Sequence, residues 1–156
     1  MCQLQEVGNV DQIKYYLDLF SQAFLMRLIF KWSTTLKSRT SSPKLLPGAP
    51  VFTSIFVGRD LTDEQRGRIF EAVVGNRLCE TFDIVYYWRE GNYELDFVVE
   101  HEGQMIGVEV KSKIRKSSSL SFFRAKVPTA KTCIIDMLNY KDFENNPIEF
   151  LTQMSV

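Results

Sequence analysis

Asp96, Glu109 and Lys111 combine two hard oxygen ligands with an ammonium, a set suited to holding a divalent cation and stabilising a developing anion. They fall in ELDFVVEHEGQMIGVEVKS, Glu94 to Ser112, where two alternating runs flank the dipeptide Glu102-Gly103. Strand side chains alternate faces, which predicts Leu95, Phe97 and Val99 on one side and Asp96 and Val98 on the other. In the second run Ile106, Val108 and Val110 share one face, and Gly107, Glu109 and Lys111 share the opposite one. With Glu102-Gly103 as a two-residue hairpin turn, His101 faces Gln104, and the same register carried back along the strands sets Asp96 opposite Glu109.

Opposed positions have Cβ atoms about 4.5–5.5 Å apart, where like charges destabilise a strand pair unless something compensates them. A divalent cation compensates them, and Mg²⁺ is usually held by one or two carboxylates with water completing its shell. The absence of nitrogen ligands favours Mg²⁺ or Mn²⁺ over zinc. Lys111, two residues after Glu109 on the same face, would set an ammonium beside the ion, suited to orienting a water or stabilising an anion. The same three residues also fit a solvated strand face with the lysine paired to one acid, which contributes only about 0–1 kcal/mol.

The elements that must position these residues are readable nearby. Thr62 as N-cap, with Gln65 three residues later, opens a helix whose apolar face is Ile69, Phe70, Val73, Val74 and Leu78. Glu71 lies off that stripe, so its interest depends on what the helix packs against. DIVYYWRE, Asp83 to Glu90, reads as a strand turned by Gly91-Asn92; the hairpin adds two strands. SLSFFRAKVP is a helix ended by Pro128, and TCIIDML, Thr132 to Leu138, is a short apolar strand. From Thr62 the order is α-β-β-β-α-β, an α/β (α+β) sheet domain over 59–156. Ahead of it, over 1–58, VDQIKYYLDLFSQAFLMRLIF predicts one helix over residues 10–30 running into an extended segment, with Asp11 as candidate N-cap. KWSTTLKSRTSSPKLLPGAP then suits a loop or short wing at the boundary of an N-terminal lobe.

At 156 residues with 45% apolar and 13% aromatic content, the chain can bury a substantial core. Nineteen basic and nineteen acidic residues cancel, so only local distribution bears on nucleic acid. From Lys111 to Lys131 there are seven Lys/Arg and no acid, and from Leu19 to Arg59 six and none, as a phosphate-facing surface or a solvated basic loop would have. Cys2, Cys79 and Cys133 are widely spaced, which points to reduced thiols in a cytoplasmic protein, with Cys79 and Cys133 as core filler. His101, the one histidine, sits at the turn and excludes chemistry needing two. MCQLQEVGNVDQ has neither a basic start nor an apolar run, and AFLMRLIF is too short to span a bilayer, so no targeting signal and no membrane association are expected.

The α-β-β-β-α-β order with Glu71 on the first helix, Asp96 on the middle strand and Glu109-Val110-Lys111 on the next resembles the PD-(D/E)XK nuclease superfamily, with a restriction-endonuclease-like core. More narrowly, GRIFEAVVGNRL, YYWREGNYELDFVVEHEGQMIGVEVKS and SLSFFRAK are similar to the C-terminal domain of unknown function of bacterial and archaeal AAA-type ATPases. YYLDLFSQAFLMRLIFKWS followed by SSPKL is similar to the winged-helix-like segment that precedes it. The resemblance implies Asp96 and Glu109 as metal ligands, Lys111 as the catalytic lysine and Glu71 as an auxiliary catalytic residue. Leu95 stands where the motif's proline would be. No G-x-x-x-x-G-K-[ST] loop occurs, so the chain is not expected to be an ATPase by itself and has the look of a detached C-terminal part, with an ATPase as a possible partner chain. Two function classes remain: a Mg²⁺-dependent phosphodiesterase acting on DNA, and a non-catalytic interaction or regulatory module of an AAA-type ATPase system.

Overall fold

Turn chemistry and alternation at the centre of the chain build a sheet onto which the helices beyond residue 60 pack. The computed structural model describes residues 10–33, 42–50, 60–112 and 117–153. Among these the elements run α1 (Val10–Gln22), β1 (Met26–Lys31), β2 (Lys44–Pro47), α2 (Asp63–Thr81), β3 (Val85–Glu90), β4 (Tyr93–His101), β5 (Gln104–Lys111), α3 (Ser118–Lys126), β6 (Lys131–Asp136), α4 (Tyr140–Asn145) and α5 (Pro147–Gln153). The six strands form one mixed α/β sheet in the order β2-β1-β3-β4-β5-β6. β1 runs parallel to β3 and β5 parallel to β6, while the other neighbours are antiparallel.

Local signals fix the central elements. Thr62 Oγ1 accepts from the Gln65 backbone N–H at 3.2 Å, and the Gln65 side chain accepts from the Thr62 N–H at 2.8 Å, closing the capping box that starts α2. Glu102 and Gly103 both take positive φ, 51° and 74°, as a two-residue turn whose twist matches its strands requires. The hairpin register runs from His101↔Gln104 to Phe97↔Val108, as the turn predicts.

The sheet is covered on both faces. α2, α4 and α5 bring Phe70, Val74, Leu78, Phe143, Phe150 and Leu151 onto a core with Phe97, Val99, Ile106, Val108, Val110 and Ile135. α3 brings Leu120 and Phe123 against Trp88, Leu95, Val98 and Ala130.

The N-terminal part is the expected helix running into an extended segment, but the helix is shorter than its apolar spacing over 10–30 predicts. α1 ends at Gln22, the chain turns at Phe24 with φ 58°, and Met26–Lys31 becomes a strand. Helical spacing of Phe24, Leu25 and Leu28 loses to tertiary pairing: Phe30 and Lys31 align with Tyr86 and Tyr87 of β3, and Ile29 is buried in the core. β2 lies inside the expected loop and pairs with β1, burying Leu46.

Two features of α2 lock this strand pair down. A Cβ on Gly75 would come within 2.6 Å of Phe97 Cζ and also press on Leu46, so only glycine lets the helix approach β2 and β4 this closely. Buried Asn76 accepts from Arg27 Nε of β1 at 2.8 Å and donates to the carbonyls of Pro47 and Ala72, both at 2.8 Å. A satisfied buried amide of this kind ties α2, β1 and β2 into one register.

Candidate functional site

The site begins with an irregularity in β4. β3 pairs with β4 as Tyr86↔Val98 and then as Trp88↔Leu95, so Asp96 and Phe97 together oppose the single residue Tyr87. This is a β-bulge, which bends a strand and re-aims its side chains. The expected strict alternation therefore breaks: Leu95 joins Val98 in the core under α3, while Phe97 and Val99 line the core under α2. Asp96 is swung out of ordinary cross-strand pairing. Its Oδ2 accepts the backbone N–H of Val110 at 2.8 Å, one residue beyond Glu109.

Each predicted acid is met by a lysine. Glu109 pairs with Lys111, the neighbour expected from the sequence. Glu71 pairs with Lys44 Nζ, which also lies 3.6 Å from Asp96 Oδ1. The structural partner of Asp96 is thus Lys44 on β2, not Lys111. Lys44 is the site residue that sequence reasoning missed. Its place depends on β2 pairing with β1 and on α2 lying close at Gly75, neither of which its neighbours Pro43 and Leu45 announce.

Electrostatics follow from burial. Burial pushes the Glu71 carboxyl above its ordinary value; Asp96 adds to the rise, and Lys44 offsets only part of it. Burial would lower the Lys44 pKa, yet Glu71 and Asp96 outweigh it and hold the ammonium above its usual value. Glu109 is 5% exposed; burial pushes it upward, Lys111 and Ser117 draw it back in part, and the charge of Asp96 raises it further. Its Oε2 has no hydrogen-bond partner among the described residues.

That unpartnered oxygen bears on whether a hard cation fits here. A buried carboxylate oxygen without a donor is costly, and a metal ion is one partner that removes the cost. Asp96 and Glu109 supply oxygen only, which suits Mg²⁺ or Mn²⁺ with waters completing the shell. Among the described residues no group of three or more His, Cys, Asp or Glu side chains converges in a way that could hold a metal ion.

Of the basic run from Lys111 to Lys131, Lys126 pairs with Glu90 and lies over the Phe122 ring, and Lys131 donates to the Thr152 carbonyl. Lys113, Arg115 and Lys116 fall outside the described residues, as does Cys2. Cys133 is buried in the core with its thiol pushed up to about 12 by desolvation, and Cys79, raised for the same first reason, packs partly buried against that core. His101 stands edge-on to Phe82 with ring centroids 6.0 Å apart. Among the described residues no helix is long and apolar enough to cross a membrane.

The family model described as Domain of unknown function (DUF4143) matches residues 66–153, more than half of the chain. The chain belongs to the DUF4143 family. No curated protein matches it, and no solved structure does. The DUF4143 match takes in Glu71, Asp96, Glu109 and Lys111, whereas Lys44 and the β1–β2 pair precede it.

The raised pKa of Glu109 gives this DUF4143 chain a pH signature. Because the folded value lies above the unfolded one, this group favours folding at low pH, and the contribution is lost as pH rises from the ordinary carboxylate range through the folded value. Glu109→Gln should therefore raise the melting temperature in chelator at about pH 8, with the gain shrinking towards about pH 4. A difference between the two proteins that stays constant with pH would contradict this origin.

Proposed function

We propose that the sheet domain is a divalent-metal-dependent phosphodiesterase acting on DNA, with a restriction-endonuclease-like PD-(D/E)XK core. The observation that carries this reading is Glu109, a buried carboxylate with one oxygen unpartnered among the described residues, paired with Lys111 and near enough to Asp96 to feel its charge. The succession α2-β3-β4-β5-α3-β6 supports it, since this is the order in which such a core would present the same four residues.

Asp96 and Glu109 would hold the metal, which when bound supplies water activation and charge neutralisation at a scissile phosphate. Lys111, a third exposed and tethered to Glu109, offers its ammonium to the charge that builds on the phosphate oxygens. The bulge gives Asp96 a fixed aim, because its second oxygen is anchored on the Val110 N–H. Glu71 adds a carboxyl whose raised pKa suits it to accept and pass a proton once Lys44 moves away. DNA would be engaged without sequence preference through basic side chains, and binding should weaken steeply with salt as counterions are released.

Incubation with supercoiled plasmid tests this. Wild type should nick the DNA in Mg²⁺ or Mn²⁺ and not in chelator, and Asp96→Asn should be inactive. Cleavage that survives in Asp96→Asn, or its absence from wild type with either metal, would contradict the reading.

A second reading is favoured by Lys44, which neutralises Glu71 and Asp96 without any metal. Under it the fold serves as a non-catalytic regulatory module of an AAA-type ATPase system. A chelator-insensitive complex with an ATPase chain, formed equally by Asp96→Asn, would mark that role.

A further inference from the structure

We propose that Lys44 is a tethered counter-ion that occupies the Glu71–Asp96 acid pair and must be displaced before a divalent metal binds, so that its release sets the metal affinity. The inference deepens the metal-dependent reading and rests on it. Three elements converge on this lysine: β2 carries it, α2 supplies Glu71 and β4 supplies Asp96. Its Nζ also sits 5.2 Å from the centroid of the Phe97 ring, the residue that shares the bulge with Asp96. The side chain is only 20% exposed, so the ammonium is a fixture of the site and not a passing surface contact.

Charge counting shows why it must leave. Glu71, Asp96 and Glu109 carry three negative charges against two positive ones on Lys44 and Lys111. A divalent ion added with Lys44 in place turns the net charge positive and sets two cations on one carboxylate. With Lys44 withdrawn, the same ion leaves the cluster neutral. Withdrawal is feasible because β2 is an edge strand of the sheet and lysine has a flexible stem ending in a single point charge.

Calorimetric titration of Mn²⁺ into the full chain, at low ionic strength, tests the idea. If Lys44 holds the acids nine times in ten or more, removing it should tighten binding by about tenfold or more, because apparent affinity scales with the competent fraction. Lys44→Met is therefore expected to bind Mn²⁺ at least about tenfold tighter than wild type. Lys44→Arg, whose planar fork can hold both carboxylates at once, should bind it more weakly than wild type. Should Lys44→Met fail to fold in chelator, Lys44→Gln keeps a polar stem and carries the same expectation, and folding is checked by near-ultraviolet dichroism. Equal and measurable affinity in wild type and the neutral variants would overturn the counter-ion role and leave the metal site standing. Weaker binding in the neutral variants would overturn it too, by showing that Lys44 positions the acids for the metal. No binding by wild type or any variant would overturn both the counter-ion role and the metal-dependent reading.

Discussion

Phe97→Ala should lower the unfolding free energy by about 3–5 kcal/mol, the usual cost of emptying a buried phenylalanine site. Phe97 is fully buried, and its ring lies where a Cβ on Gly75 would collide with it, so the helix carrying Glu71 rests on this side chain. The same ring lies below the Lys44 ammonium. The substitution thus opens a cavity in the core under α2 and removes the aromatic floor of the acid pair. Urea denaturation with an unchanged m-value would measure the loss. A cost below about 1 kcal/mol would mean that the neighbours collapse freely and that α2 is not held by this contact.

Lys111→Ala is expected to reduce metal-dependent cleavage by about 10²–10⁴-fold, the range attached to a positioned proton-transfer or charge-stabilising group. Its other effects should run the opposite way. Removing the ammonium takes the ion pair from Glu109, so affinity for Mn²⁺ should hold or rise while stability in chelator falls. DNA affinity should change little, since one cation is a small part of a counterion-driven interface. Cleavage lost together with metal binding would instead make Lys111 a support for Glu109 and not a participant in the chemistry.

The succession from α2 to β6 was legible because each element carries its own local signal. Thr62 and Gln65 cap α2, Glu102-Gly103 turns the hairpin, and Pro128 follows α3 closely. The bulge was not legible, since it arises from how β4 meets Tyr87 of a different strand, and nothing within ELDFVV encodes that offset. β1 and β2 were hidden for a related reason: short runs of Leu, Ile and Phe fit helix or strand, and long-range pairing decides between them. α4 and α5 went unread because two short helices separated by Asn146 offer too few turns for a periodic signal. Within the site, Asp96, Glu109 and Lys111 stand out in the sequence as charges on alternating strands and Glu71 through family resemblance, but the expected facing of Asp96 and Glu109 gives way to the bulge, which turns Asp96 onto the Val110 N–H. Lys44 was invisible, although it touches two of the four.

Crystals soaked in Mn²⁺ and measured at its absorption edge test the central claim most directly. An anomalous peak bridging the carboxylates of Asp96 and Glu109, with the Lys44 ammonium drawn away from Asp96, is the predicted result. No peak there at high Mn²⁺, with Lys44 still across Glu71 and Asp96, would contradict it.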